Sequence, residues 1–378
     1  MTSESRADAI VVGAGIVGAA CARALAREGM RVTVLEGGFA GGGTTAAGMG
    51  HLVVMDDSPA QLALTALSVE LWKELSPSLG ASVEFDPCGT LWIAEDAQQM
   101  DVLREKERVY RAFGIACEMI DRRRLVELEP NLRAGLAGAL LVAGDAVLYA
   151  TAAARWLLDD ARAFGAVIRE QCMVDEISGH AVRIGTEMLE ADVIVNAAGV
   201  RSAQLTLELP IIPRKGHLAI TDRAPGFCRH QIVELGYLAH AHVMTSESIA
   251  FNVQPRQNGQ VLIGSSRELV GWDASINHDV LRRMLDRAGQ FMPALSRLAV
   301  ERTWTGFRPA TPDKLPLIGR WEATEGLWIA TGHEGLGVTT SLGTARLIAD
   351  LVIGRRPPID TTAFAPARVL SSGRGERK

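Results

Sequence analysis

Three glycines and one acid carry the first chemical signal in this chain. Gly13, Gly15 and Gly18 stand in G-x-G-x-x-G spacing between an apolar strand, Asp8 to Val12, and a stretch of helical periodicity that includes Ile16, Ala20 and Leu25. Gly29 stops that helix, and Arg31 to Glu36 reads as a second strand. In such a unit the first glycine allows a tight turn, the second admits pyrophosphate to the backbone, and the third lets helix and strand pack closely. The helix N-terminus offers free N–H groups and the positive end of its dipole to phosphate. Glu36 closes the second strand about 20 residues on, where a carboxylate holds ribose hydroxyls and repels a 2′-phosphate. The pattern predicts an ADP-containing dinucleotide. It does not separate NAD from FAD, since both carry ADP.

The next stretch, GGGTTAAGMGH (41–51), puts five glycines into eleven positions. Such a composition also suits a flexible linker, but this one lies between a strand and the apolar run HLVVM. An NAD-binding domain continues from its second strand with another crossover helix. Here the chain enters a segment nearly free of side chains, as though a second, flat part of the cofactor lay beside it. Thr44 and Thr45 supply hydroxyls, Gly48 and Met49 carry the loop onward, and His51 closes it. Near the other terminus, residues 326–354 read as strand, glycine turn and long helix. Gly332, Gly335 and Gly337, with Leu336 between the last two, set a second helix N-terminus against an anionic group.

Two further side chains invite chemistry. Arg308, in FRPATPD, has a guanidinium fork that matches a carboxylate bidentately; the competing reading is a structural ion pair with Asp313. His51 is placed to orient a substrate, to accept a proton from an amine, or to donate to a backbone carbonyl. His333 is read as shaping the glycine turn.

The elements that position these residues interleave two units. PAQLALTALSVELWKELS (59–76) is helical, GTLWIAE (89–95) is a strand leaving the first unit, and residues 150–170 run from amphipathic helix into strand. ADVIVNAAG returns to the first sheet as a continuous apolar strand, as burial on both faces requires. From about residue 214 the texture changes to short runs, HLAITD, HVMTS, SIAFNVQ and QVLIGSS. Asn258-Gly259 between the last two signals a hairpin in which both central residues take positive φ. The expected fold is α/β plus α+β. A Rossmann-like cofactor domain (1–85, 146–213 and 303–378) interleaves with an antiparallel-sheet substrate domain (86–145 and 214–302). Tyr237, His240 and His242 fall on a strand that would roof the pocket.

Composition narrows the class. The chain has 378 residues, 48% hydrophobic and 22% charged, with a formal net charge of −5. That balance gives no electrostatic reason to expect nucleic acid or an anionic membrane surface. No apolar run reaches the roughly 20 residues of a spanning helix. The N-terminus lacks the basic and apolar regions of a secretory signal. Five scattered cysteines, none in a CxxC pair, read as free thiols in a reducing compartment and exclude a cysteine metal cluster. The expected location is the cytoplasm, with a peripheral position at the inner membrane face open, and no metal is expected.

Taken together, the N-terminal fingerprint, GTTAAGMGH, ADVIVNAAGVRS, GFRPATPDKLPLIG and GHEGLG resemble the FAD-dependent D-amino-acid oxidase family, in the branch of glycine oxidase, sarcosine oxidase and the D-amino-acid dehydrogenases. Within it, TTAAGMGHLVVMDDSPAQLALT is most similar to bacterial D-hydroxyproline dehydrogenases. The resemblance implies non-covalently bound FAD and hydride transfer from the carbon bearing nitrogen to flavin N5. It implies a backbone contact to adenine at Val174 and a substrate carboxylate held by Arg308. Sarcosine oxidase-like members carry a lysine on the strand matching VLIG that helps oxygen take electrons; the matching position here is Leu262. Three classes follow. One is a dehydrogenase of a small D- or secondary amino acid that passes electrons to a quinone or partner protein. The second is a glycine- or sarcosine-type oxidase making hydrogen peroxide. The third is the flavin-carrying β subunit of a heteromeric amine dehydrogenase, paired with a second flavoprotein and an iron–sulfur subunit. Homo- and hetero-oligomers both fit.

Overall fold

β1 (Ala7–Val12), α1 (Ile16–Arg27) and β2 (Val32–Leu35) form the expected strand–helix–strand unit, with β1 and β2 parallel. The computed structural model describes residues 6–235 and 247–372. Around this unit a sheet grows by crossovers. Glu187–Asn196 lies parallel on the other flank of β1, Leu327–Thr331 lies parallel beyond it, and Val167–Arg169 runs parallel to β2. Leu317–Arg320 closes one edge antiparallel. The inner stretches of the central strands, residues 9–12 and 193–195, are apolar because both faces are covered there. On one face α1 packs with the helices Ala150–Ala163 and Gly337–Val352 through Ala19, Ala22, Leu25, Leu157, Leu342 and Ile348. Ile177, Val182, Leu209 and Trp321 cover the other.

The second sheet has eight strands in the order Val300–Ala310, Ile212–Thr221, Val261–Glu268, Glu247–Pro255, Gln231–Glu234, Thr90–Ala94, Gly138–Val142 and Glu118–Asp121. Its pairs are antiparallel as expected, with one exception. Gln231–Glu234 and Thr90–Ala94 run parallel, because strands so distant in sequence are not bound by a hairpin to opposite directions. The helix His278–Phe291 packs on this sheet, with the Phe251 and Phe291 rings stacked at 4.6 Å.

One local expectation needs correction. The turn at Asn258-Gly259 has positive φ only at Gly259 (87°). Gly259 N donates to Arg256 O and Arg256 N to Gln260 O, which is a longer turn ending in a left-handed glycine. The expected domain cuts at 213/214 and 302/303 fall inside Ile212–Thr221 and Val300–Ala310. These strands pair from Ile212–Ala310 to Thr221–Val300, so a division there would split a paired ribbon. HVMTS, Tyr237, His240 and His242 lie outside the described residues. No helix among the described residues is long and apolar enough to cross a membrane.

Candidate cofactor and substrate site

A cavity of about 770 Å³ runs from the ends of β1 and β2 to the second sheet. Its near end is lined by Gly13, Gly15, Glu36, Val174 and the segment Ala197–Arg201; its far end by Met49, His51, Gly216, Asn252, Ser265 and Arg308.

The fingerprint glycines divide their work. A Cβ built on Gly18 would lie 1.9 Å from the Gly13 carbonyl oxygen, so α1 rests on the turn only because residue 18 lacks a side chain. Gly18 is outside the cavity wall and serves packing. Gly15 is the N-cap of α1 with no side-chain cap, and a Cβ there would meet only Thr45 Oγ1, at 3.2 Å. The space above it belongs to the cavity. That is the geometry a pyrophosphate requires.

The glycine-rich stretch is not wholly irregular: Thr44–Ala47 makes one helical turn. Its small residues serve the protein as well as the cavity, since a Cβ on Gly306 would come within 2.3 Å of Ala47 Cβ. The two threonines separate in role. Thr44 Oγ1 donates to Phe307 O at 2.7 Å, tying the turn to the strand that carries Arg308. Thr45 Oγ1 accepts from Ile16 N at 3.0 Å and keeps its own proton as a donor. Gly48, Met49, Val174, Gly335 and Gly337 line the cavity. Gly332 and Leu336 do not. Gly332 (φ 82°) is needed where a Cβ would stand 2.6 Å from Thr311 Cγ2, and Leu336 packs against the apolar cluster around Trp92 and Tyr110.

Glu36 reaches the cavity with part of its capacity used. Its carboxylate accepts from Ala14 N at 2.7 Å and Gly38 N at 2.8 Å, which closes the fingerprint loop. Each oxygen retains a lone pair for a ribose hydroxyl. Glu36→Gln is expected to weaken FAD binding by about 1–2 kcal/mol, the scale for losing a charged acceptor. Titration of apoprotein with FAD checks this; an unchanged affinity would mean that the ribose is held elsewhere.

At the far end, Arg308 donates from Nη1 to Ser266 O at 2.9 Å. Its guanidinium lies directly over Gly216: a Cβ at 216 would fall 2.2 Å from Nη1 and 2.7 Å from Cζ. The ion pair considered between Arg308 and Asp313 is not formed; Asp313 bonds Arg368 Nε at 2.7 Å. Arg214, Arg267 and Arg308 surround Glu334. Burial pushes the Glu334 carboxyl up, but Arg267, Arg308 and Arg214 outweigh it and bring it down to about 2. Its Oε1 lies 3.2 Å from Arg267 Nε and 3.5 Å from Arg214 Nη1. Gly216→Ala would displace the Arg308 guanidinium while leaving the backbone of both strands in place. We expect benzoate affinity to fall about tenfold, the scale of one misplaced polar contact, with flavin content unchanged. Equal benzoate affinity in the variant would show that Arg308 does not bind carboxylates from this position.

The two histidines differ. His333 is buried with Nε2 2.9 Å from Thr344 Oγ1, and burial lowers its pKa to about 3. It is a neutral residue of the turn whose surface also lines the cavity. His51 pairs with Val147 at the cavity wall; its buried Nε2 meets no partner at ordinary hydrogen-bond geometry among the described residues, while the Gln254 side chain lies within interaction reach of the ring. Burial lowers its pKa to about 4, opposed by Gln254 and reinforced by Arg308. It is a neutral imidazole at the far end of the cavity. Leu262, compared above with an oxygen-activating lysine, is buried but outside the cavity wall. Ser265 is the lining residue of that strand, and no lysine lines the cavity among the described residues.

Sequence reasoning missed Gly216, Asn252, Ser265 and Glu334. Only Gly216 carried a local signal, since an isolated glycine in a strand marks a close approach. The buried Oδ1 of Asn252 and Oγ of Ser265 find no partner among the described residues, as expected of groups that wait for a ligand.

Residues 8–351 match the model of the family described as FAD dependent oxidoreductase. The chain is 30% identical over 377 residues to a glycine oxidase of Pseudomonas aeruginosa, covering 95% of this chain and 98% of the relative. It is 30% identical over 325 residues to a D-amino acid dehydrogenase of Xanthobacter autotrophicus, covering 81% of this chain and 73% of the relative. The crystal structure of glycine oxidase from Geobacillus kaustophilus superposes with a TM-score of 0.86 at 25% identity, over 95% of this chain and 98% of that one.

Proposed function

We propose that this chain, which belongs to the family of FAD-dependent oxidoreductases, dehydrogenates a small D- or secondary amino acid of the D-hydroxyproline or D-proline type. The observation that carries the reading is a guanidinium fork, Arg308, at the far end of the cavity that begins at the dinucleotide fingerprint. Relatives named glycine oxidase and D-amino acid dehydrogenase support an amino-acid substrate.

FAD, held without a covalent bond, supplies a hydride acceptor at N5 of its ring. Gly13 and Gly15 with the start of α1 would hold its pyrophosphate, Glu36 its ribose, and the backbone at Val174 its adenine. Arg308 takes the substrate carboxylate bidentately and fixes the distance to the reacting carbon. His51, neutral down to about pH 4, is too weak a base to deprotonate an ammonium. Its imidazole, which also meets the Gln254 side chain, contacts the amine and turns the molecule about the Arg308 anchor. The carboxylate contact and the amine contact together leave one face of the substrate carbon toward the cofactor.

The absence of a lysine from the described cavity wall favours electron transfer to a quinone or partner protein over oxygen, because an ammonium there would stabilise superoxide. Steady-state oxidation of D-hydroxyproline and D-proline should run faster with a quinone-type dye than with oxygen, and peroxide should be a minor product. Stoichiometric peroxide at comparable rates would instead support the glycine- or sarcosine-type oxidase.

A further inference from the structure

Behind Arg308 lies a second row of buried polar side chains that this reading does not use. The Ser266 carbonyl that receives the Arg308 Nη1 bond belongs to a residue gripped by His217. Ser266 Oγ lies 2.9 Å from the His217 backbone N and 2.9 Å from His217 Nδ1. The His217 ring is fully buried and outside the cavity wall, so it cannot touch substrate. Its other nitrogen, Nε2, lies 3.0 Å from Asn277 N. A backbone N–H only donates, so Nε2 accepts and carries no proton; the neutral ring is therefore protonated at Nδ1. Nδ1–H points at Ser266 Oγ, and Glu268 Oε2 lies 3.4 Å from the same Nδ1. Glu268 is held in turn: Oε1 accepts from Asn277 Nδ2 at 3.0 Å, and Lys215 Nζ stands 3.5 Å from Oε2. A second proton on His217 would turn the acceptor of the Asn277 N–H into a donor. The frame thus selects one tautomer and one charge state.

We infer that His217 is a positioning residue for the carboxylate clamp: through Ser266 it fixes the carbonyl that holds the Arg308 guanidinium over Gly216. The inference rests on the reading of Arg308 as the carboxylate handle. Its physical content is placement. A guanidinium on three or more rotatable bonds selects a carboxylate geometry only if its resting direction is fixed in advance.

Benzoate affinity and substrate KM, measured on the FAD-loaded enzyme, test this in His217→Leu, His217→Asn and Ser266→Ala. Asparagine returns an amide N–H near the place of Nδ1–H; leucine does not. In His217→Leu we expect benzoate Kd and KM to rise about five- to tenfold, the scale of one lost hydrogen bond in a buried network, and the limiting rate of flavin reduction to fall less. His217→Asn should restore most of the affinity, which a generally loosened fold would not. Ser266→Ala keeps the carbonyl, needs no new space and should move Kd in the same direction by a few-fold; it decides the matter if His217→Leu does not retain flavin. Parent-like benzoate affinity in both His217→Leu and Ser266→Ala, with affinity lost in Arg308→Lys, overturns the inference and leaves the clamp standing. Benzoate binding that is indifferent to Arg308→Lys overturns the clamp and the inference together.

Discussion

Arg308→Lys is expected to lower the efficiency of flavin reduction by about 2–4 kcal/mol in transition-state terms, because hydride transfer depends steeply on placement. Lysine keeps the charge and loses the fork. It also loses the Nη1 bond to Ser266 O and leaves empty the flat space over Gly216 that the guanidinium fills. Flavin content and thermal stability should survive, since Arg308 is only partly buried and lines the end of the cavity far from the fingerprint turn. Stopped-flow reduction at limiting substrate checks the expectation. A lysine variant that reduces as fast as the parent would place the carboxylate handle on another residue.

Gly15→Val should abolish FAD retention without unfolding the chain. A Cβ at Gly15 meets only Thr45 Oγ1, at 3.2 Å, whereas one at Gly13 or Gly18 would run into backbone at 2.5 or 1.9 Å. Position 15 is therefore where a side chain blocks the ligand and spares the fold. The purified variant should be colourless with a parent-like far-ultraviolet dichroism spectrum. Normal flavin occupancy would remove the pyrophosphate from this turn.

What could be read from the sequence was local. The strand, turn, helix and acid from Ala7 to Glu36 are set by contacts within one βαβ unit, and they fold as their spacing implies. The helix Pro59–Leu75 begins where Ser58 caps it, accepting from Gln61 N at 3.1 Å. Arg308 and His51 could be picked out because the segments that carry them have distinctive compositions, and both line the same cavity. What could not be read was long-range. Gly216 matters through Arg308, which is remote in sequence and adjacent only once two strands pair in register. Asp313 lies close to Arg308 in sequence, yet its partner is Arg368 near the C-terminus. Gly332 looked like a cofactor glycine because it sits in a glycine turn before a helix; its real constraint is Thr311 on another segment. The strand carrying Leu262 was recognised, but which of its residues faces the cavity depends on the pleat and a register shift against Glu247–Pro255.

We propose that one cavity holds FAD and presents a carboxylate-bearing amine to it. Anaerobic mixing of the FAD-loaded protein with D-hydroxyproline, D-proline, other D-amino acids, glycine and N-methylglycine tests it most directly. Loss of the oxidised-flavin absorbance band, saturating with D-hydroxyproline or D-proline and suppressed by benzoate, is the predicted result. A flavin that stays oxidised with every amino acid of the panel would rule out that arrangement.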